Sequence, residues 1–134
     1  MAAKGSCVFW FLLASAWIVM KSDAADTFES FKELHVDYPK TEAPNDNEYC
    51  KKVMGGRGQT KLKANTYIHA PDSELLAACN RKKYKLNHEY GRTSRLPTTL
   101  CTYGDRVFLG SSLPGTIKVL CVNGKPVAFR GFNA

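Results

Sequence analysis

Histidine is scarce in this 134-residue chain: only His35, His69 and His88 are present, and none follows His88. The three are scattered without the close spacing of metal ligands, so neither a metal site nor a cofactor is expected. There is no Asn-x-Ser/Thr acceptor for N-linked glycan, and no internal repeat, low-complexity tract or linker. Past Met20 no apolar run reaches the roughly 20 residues needed to cross a bilayer, so no transmembrane segment is expected. Acidic residues number 12 against 19 Lys and Arg, which leaves a formal charge of +7.

What is present begins with a leader-like segment. Lys4 supplies a positive start, Val8 to Met20 is apolar apart from Ser15, and Ser22-Asp23-Ala24 offers small residues where a signal peptidase reads. Residues 1–24 are therefore expected to be a signal peptide and residues 25–134 a single secreted, extracellular domain. Removing the leader takes away Lys4, Lys21 and Asp23, so the net charge falls only to +6. Cys7 leaves with it, and Cys50, Cys79, Cys101 and Cys121 remain, enough for two disulfides in an oxidising compartment. Spacing leaves all three connectivities open. A bridge closing 40 to 50 residues is worth about 4 kcal/mol in the chain-entropy model, a large share of a small domain's stability.

Helices come first and strands after. Asp26 and Glu29 stand at capping-box spacing ahead of Phe28, Phe31, Leu34 and His35, which share one helical face, and Tyr38-Pro39 closes that element. Asn45-Asp46-Asn47 predicts the start of a second helix running through Met54 to a stop at Gly55-Gly56. Pro71 predicts a third from Asp72 to Cys79. The segment leading into Asn65 to His69 reads as a strand, and His88 as a loop residue. Thr98–Tyr103, Arg106–Leu109 and Thr116–Val122 are β-rich, and Asn123-Gly124 signals a hairpin into Pro126–Phe129. The class is α+β.

Phe31-Lys32-Glu33-Leu34-His35, Asn65-Thr66-Tyr67-Ile68-His69 and the order of the four cysteines resemble the pancreatic-type ribonuclease (ribonuclease A) family over nearly all of residues 25–134. The resemblance implies a ribonuclease A-like fold, with three helices in the N-terminal half packed on a curved antiparallel sheet. It also selects Cys50–Cys101 and Cys79–Cys121 as the bridges. It implies that His35 is the first catalytic histidine, that Thr66 contacts a pyrimidine, and that Asn65 and Phe129 line the same pocket.

The departures from that pattern concern the chemistry. Phosphodiester cleavage of this kind needs a base for the ribose 2′-hydroxyl, an acid for the departing 5′-oxygen and a cation for the charge growing on phosphorus. Aligned on Asn65-Thr66, Leu62 occupies the lysine slot and Lys61 a cysteine slot. Ala128 occupies the slot of the second histidine, and Arg130 replaces the acid that follows Phe129. Lys61 and Lys63 flank position 62, and strand alternation turns both away from the site unless a bulge re-aims one. Losing a general acid costs roughly 10²–10⁴-fold and losing the charge stabiliser about 10²–10³-fold.

Each residue also has a plainer role. His35 can be a packed relic beside Phe28 and Phe31, His69 a structural residue, and Asn65 and Thr66 hydrogen-bonding members of the sheet. The basic residues form two groups, Lys51, Lys52, Arg57, Lys61 and Lys63, then Arg81, Lys82, Lys83 and Lys85 with Arg92 and Arg95. Such groups hold RNA or another polyanion without reading sequence, or are solvated faces. The function expected is that of a secreted ribonuclease-like protein without useful catalysis, binding nucleic acid, an anionic glycan, an anionic membrane or a protein receptor. Leu34 to Pro39 resembles the branch of the family associated with the male reproductive tract. The alternatives are a weak pyrimidine-preferring endoribonuclease using His35 with Lys61 or Lys63, and a cationic antimicrobial, membrane-active protein in host defence.

Overall fold

The structure, a computed structural model, describes residues 27–80 and 88–134. The leader, Asp26 and the basic residues Arg81, Lys82, Lys83 and Lys85 lie outside them. Helix α1, Phe28–His35, opens with a capping box one residue later than expected. Ser30 N–H donates to Thr27 Oγ1 at 3.0 Å and Thr27 N–H donates to Ser30 Oγ at 2.8 Å. Hydroxyls three residues apart satisfy the same pair of orphan amides as a hydroxyl and a carboxylate would. Glu29 instead reaches Lys32 at 3.4 Å.

Helix α2, Asp46–Cys50, starts at the Asn45 cap and continues as a π-helical stretch, Lys51–Gly55. The stop expected at Gly55-Gly56 is not used. The chain ends the helix at Gly58, whose φ of 68° suits a residue without Cβ. There Gln59 N–H donates to Met54 O at 2.9 Å and Gly58 N–H to Gly55 O at 3.1 Å, the paired bonds of a Schellman motif. Helix α3, Asp72–Ala77, ends two residues short of the expected Cys79, as Ala78 and Cys79 tighten into i→i+3 bonds.

The described residues also form six strands: β1 Ala64–Ile68, which precedes α3, then β2 His88–Arg92, β3 Thr98–Gly104, β4 Val107–Ser112, β5 Thr116–Val122 and β6 Lys125–Asn133. They form two antiparallel three-stranded sheets, β1-β3-β4 and β2-β5-β6. His88 opens β2 rather than lying in a loop, because the polar run it heads pairs residue by residue with the strongly alternating β5. The Asn123-Gly124 hairpin forms as expected, both residues at positive φ. β6 carries one extra residue at Val127 and another at Arg130, bulges that bracket Ala128 and Phe129.

The core divides into two clusters, and each holds one disulfide. Phe31, Ile68, Leu75, Ile117 and Val119 pack around Cys79 and Cys121, while Tyr49, Val53, Met54 and Tyr67 pack around Cys50 and Cys101. Both expected bridges, Cys50–Cys101 and Cys79–Cys121, are formed. Gly91 permits the second to close: a Cβ there would stand 2.1 Å from Ala78 O and 3.0 Å from Cys121 Sγ. Among the described residues no helix is long and apolar enough to cross a membrane.

Candidate functional site

His35, the last residue of α1, is buried against Phe31 and the bulged segment of β6. Its ring stacks on Phe129 with centroids 4.9 Å apart and planes 29° apart. Nδ1 lies 3.0 Å from Thr66 O, and since a carbonyl only accepts, Nδ1 carries the proton and Nε2 the lone pair of the neutral ring. Burial lowers the imidazole's pKa below its ordinary 6.5, against the smaller opposing effect of the Thr66 bond. His35 is thus held neutral at pH 7 and chemically fit to take a proton.

What it faces is not fit to give one. A cleft of about 270 Å³ is lined by Ser30, Phe31, Leu34, His35 and the β6 residues Val127, Ala128, Phe129 and Arg130. Among these His35 is the one side chain that titrates near neutrality. Lys61, Leu62 and Lys63 do not line the cleft. The expectation that these three continue a strand is also corrected: Thr60–Leu62 is a 3₁₀ turn and Lys63 sits at φ 65°, so strand alternation does not decide where they point. Leu62 is 47% exposed, and Lys63 Nζ lies 5.8 Å from the Tyr103 ring centroid. The cation that does line the cleft is Arg130, which in the sequence stands only as the replacement of an acid.

Comparison with known proteins gives this geometry its context. Residues 26–106 match the family described as pancreatic ribonuclease. The chain is 32% identical over 121 residues to the pancreatic ribonuclease of Iguana iguana, covering 77% of this chain and 95% of that one. The chain belongs to the pancreatic ribonuclease family. It is also 29% identical over 136 residues to the angiogenin of Gallus gallus, covering 94% of this chain and 96% of the other. Among solved structures, green turtle egg white ribonuclease superposes with a TM-score of 0.66 at 27% identity, covering 79% of this chain and 98% of that one.

Within this pancreatic ribonuclease fold, the Asn65 side chain and the Thr66 backbone carbonyl are committed to the protein itself. Asn65 is buried and its Nδ2 donates to Leu34 O at 2.7 Å and to Gln59 Oε1 at 3.3 Å. Tyr67 Oη donates to the same Gln59 oxygen, and Gln59 Nε2 reaches Glu33 O at 3.4 Å. Gln59 therefore joins the end of α1 to β1. A lone glutamine in a glycine-rich stretch carries no sequence signal for this, because its partners are brought to it only by the tertiary fold. Thr66 lends its backbone to His35 and remains half-buried on the outer face of the sheet beside Leu100. Neither Asn65 nor Thr66 lines the cleft, so the structure does not join them to His35, Ala128 and Phe129 in one cavity.

The first basic group is divided by the structure. Arg57 acts as a clamp: Nη1 donates to Glu33 O and Nη2 to Val36 O, each at 2.8 Å, and Nη2 stands 3.7 Å from Asp37 Oδ1. This satisfies carbonyls at the end of α1 and removes Arg57 from the set of exposed, unengaged cations. Lys52 Nζ donates to Glu42 O at 2.9 Å. Lys51, Lys61 and Lys63 are exposed and form no ion pair among the described residues. Arg92 and Arg95 are exposed as well.

His69 is a structural pin. Nδ1 donates to Asp37 O at 2.9 Å, and Nε2 lies 2.8 Å from Thr99 Oγ1. Burial lowers its pKa too. Asp37 accepts from Tyr49 Oη at 2.7 Å and from Thr41 N–H and Oγ1 at 2.9 Å. Burial works to raise Asp37's pKa, but these bonds and the Arg57 charge outweigh it and hold the carboxyl below its usual value.

Proposed function

We propose that this chain is a secreted pancreatic-ribonuclease-family protein, processed after Ala24, that binds RNA or a related polyanion without cleaving it. The observation that carries the reading is the pairing of His35 with Ala128 and Phe129. A neutral imidazole can take the 2′-hydroxyl proton, but nothing across the cleft can return one to the leaving oxygen. Arg130, which lines the same cleft, supports retention of a phosphate. The exposed Lys51, Lys61 and Lys63 and the +6 charge left after processing support long-range attraction of polyanions. Such binding is compatible with a reproductive-tract or host-defence role.

The test is a cleavage assay on tRNA and poly(U) with the secreted protein, its N-terminus located by mass, beside His35→Ala. Equal background rates for both, with salt-sensitive RNA binding by both, are expected. Cleavage by wild type that disappears in His35→Ala overturns the reading.

A further inference from the structure

The solvent face of the second sheet carries an arrangement that the cleft does not explain. Arg92 on β2 and Lys118 on β5 are direct register partners. Side chains directly opposite in an antiparallel pair share a face, so two cations stand side by side there. Neither forms an ion pair among the described residues. Like charges in that position are destabilising, and the fold keeps them. Lys118 Nζ is turned over the ring of Tyr90, 4.6 Å from its centroid, while Tyr90 remains 53% exposed. The ammonium thus lies over one face of a ring that is still half exposed.

Tyr90 lies two residues along β2 from Arg92, about 7 Å on the same face, the reach of one nucleotide from base to phosphate. Across the sheet Tyr90, Leu120 and Ala128 form one row. On β6 the register partners of Leu120 and Lys118 are the small residues Ala128 and Gly131. That row runs to Ala128, which also lines the His35 cleft.

We infer that Tyr90, Arg92 and Lys118 form a single-stranded nucleic-acid site, with a base stacked on Tyr90 and a phosphate held between Arg92 and Lys118. It rests on the polyanion-binding reading and adds a location and a ligand chemistry. The alternation of one flat ring with one pair of converging cations suits a strand that alternates bases and single charges. A stacked base and a phosphate occur in DNA and RNA alike, so the site binds both.

The experiment is fluorescence anisotropy with labelled dT6, which has no 2′-hydroxyl and cannot be cleaved, and with rU6 and a heparin hexasaccharide. Wild type is expected to bind both oligonucleotides. Tyr90→Ala should weaken binding about tenfold, and Tyr90→Phe should retain it. The double variant Arg92→Gln/Lys118→Gln should flatten the slope of log K against log salt by about 0.7, one phosphate's worth for a single strand. Arg92→Gln alone should unfold at no lower urea concentration than wild type at low salt, which separates lost binding from lost fold. Oligonucleotide binding unchanged in these variants but lost in Lys61→Gln/Lys63→Gln overturns the site and leaves the general reading standing. Binding of the heparin hexasaccharide alone overturns the nucleic-acid ligand. Failure to bind any of the three overturns both readings.

Discussion

The imidazole of His35 and the ring of Phe129 stack 4.9 Å apart, so the base position of the cleft is braced by the residue next to the missing acid. The brace keeps a neutral imidazole in place beside a methyl group, and on the proposed reading that makes the deficit local enough to repair.

Replacing Ala128 by histidine should therefore raise RNA cleavage about 10²-fold over wild type, the lower range for a restored general acid. Adding Leu62→Lys should contribute less than a further tenfold, since Leu62 occupies a 3₁₀ turn outside the cleft. Initial rates on poly(U) decide this. A large gain from Leu62→Lys alone would show that the turn reaches the scissile phosphate.

Stability should fall on mild acidification. Burial holds the folded pKa values of His35 and His69 below 6.5, so the unfolded chain takes up protons first as pH drops. Their contribution is full above about pH 6.5 and is lost as pH falls through that value toward the folded pKa values. Asp37, with its lowered pKa, adds a loss at lower pH, below the usual carboxylate value. Urea midpoints from pH 8 to 4 should decline from near 6.5, and His69→Gln should flatten the upper part of that decline. A flat profile between pH 7 and 5 would contradict the burial of both rings.

Arg57→Ala should cost about 2 kcal/mol, because it strips charged donors from the Glu33 and Val36 carbonyls and a neighbouring cation from Asp37. Oligonucleotide affinity should change little. If instead stability is unaffected and affinity drops, Arg57 is a ligand contact and not a clamp.

Gly91→Ala should destabilise by about 3 kcal/mol and lower the yield of the Cys79–Cys121 bridge, since its Cβ meets a backbone oxygen that has no room to yield. Gly104→Ala, with nothing near the new methyl, is the control. Peptide mapping of the refolded proteins reads the bridge directly.

The parts of the fold legible in the sequence were those set by local chemistry. The apolar spacing of α1, the Asn45 cap of α2, the proline ahead of α3, the alternation of β5 and the Asn123-Gly124 turn each declare themselves within a few residues. What was not legible depended on partners far away. Gly55 and Gly56 read as a stop, yet the helix passes through them, and Gly55 lies against the Phe108 ring. The register set by Asn65-Thr66, carried back along the sequence, puts Lys61 to Lys63 in the strand, while the positive φ of Lys63 breaks that register. The β2 segment shows little β-pattern alone and is a strand because β5 pairs with it. Arg57 and Arg130 looked alike as charges on a string. One proved to be a clamp and the other a cleft residue.

The two single-residue insertions in the last strand have a consequence for how it tolerates change. Each one flips the in-and-out parity of everything beyond it, and together they cancel, so only the short stretch between them runs in antiphase to its flanks. Deleting Val127 or Arg130 alone would reverse the parity of a whole strand arm. Deleting both would restore a regular ribbon whose central pair no longer sits where the helix histidine meets it.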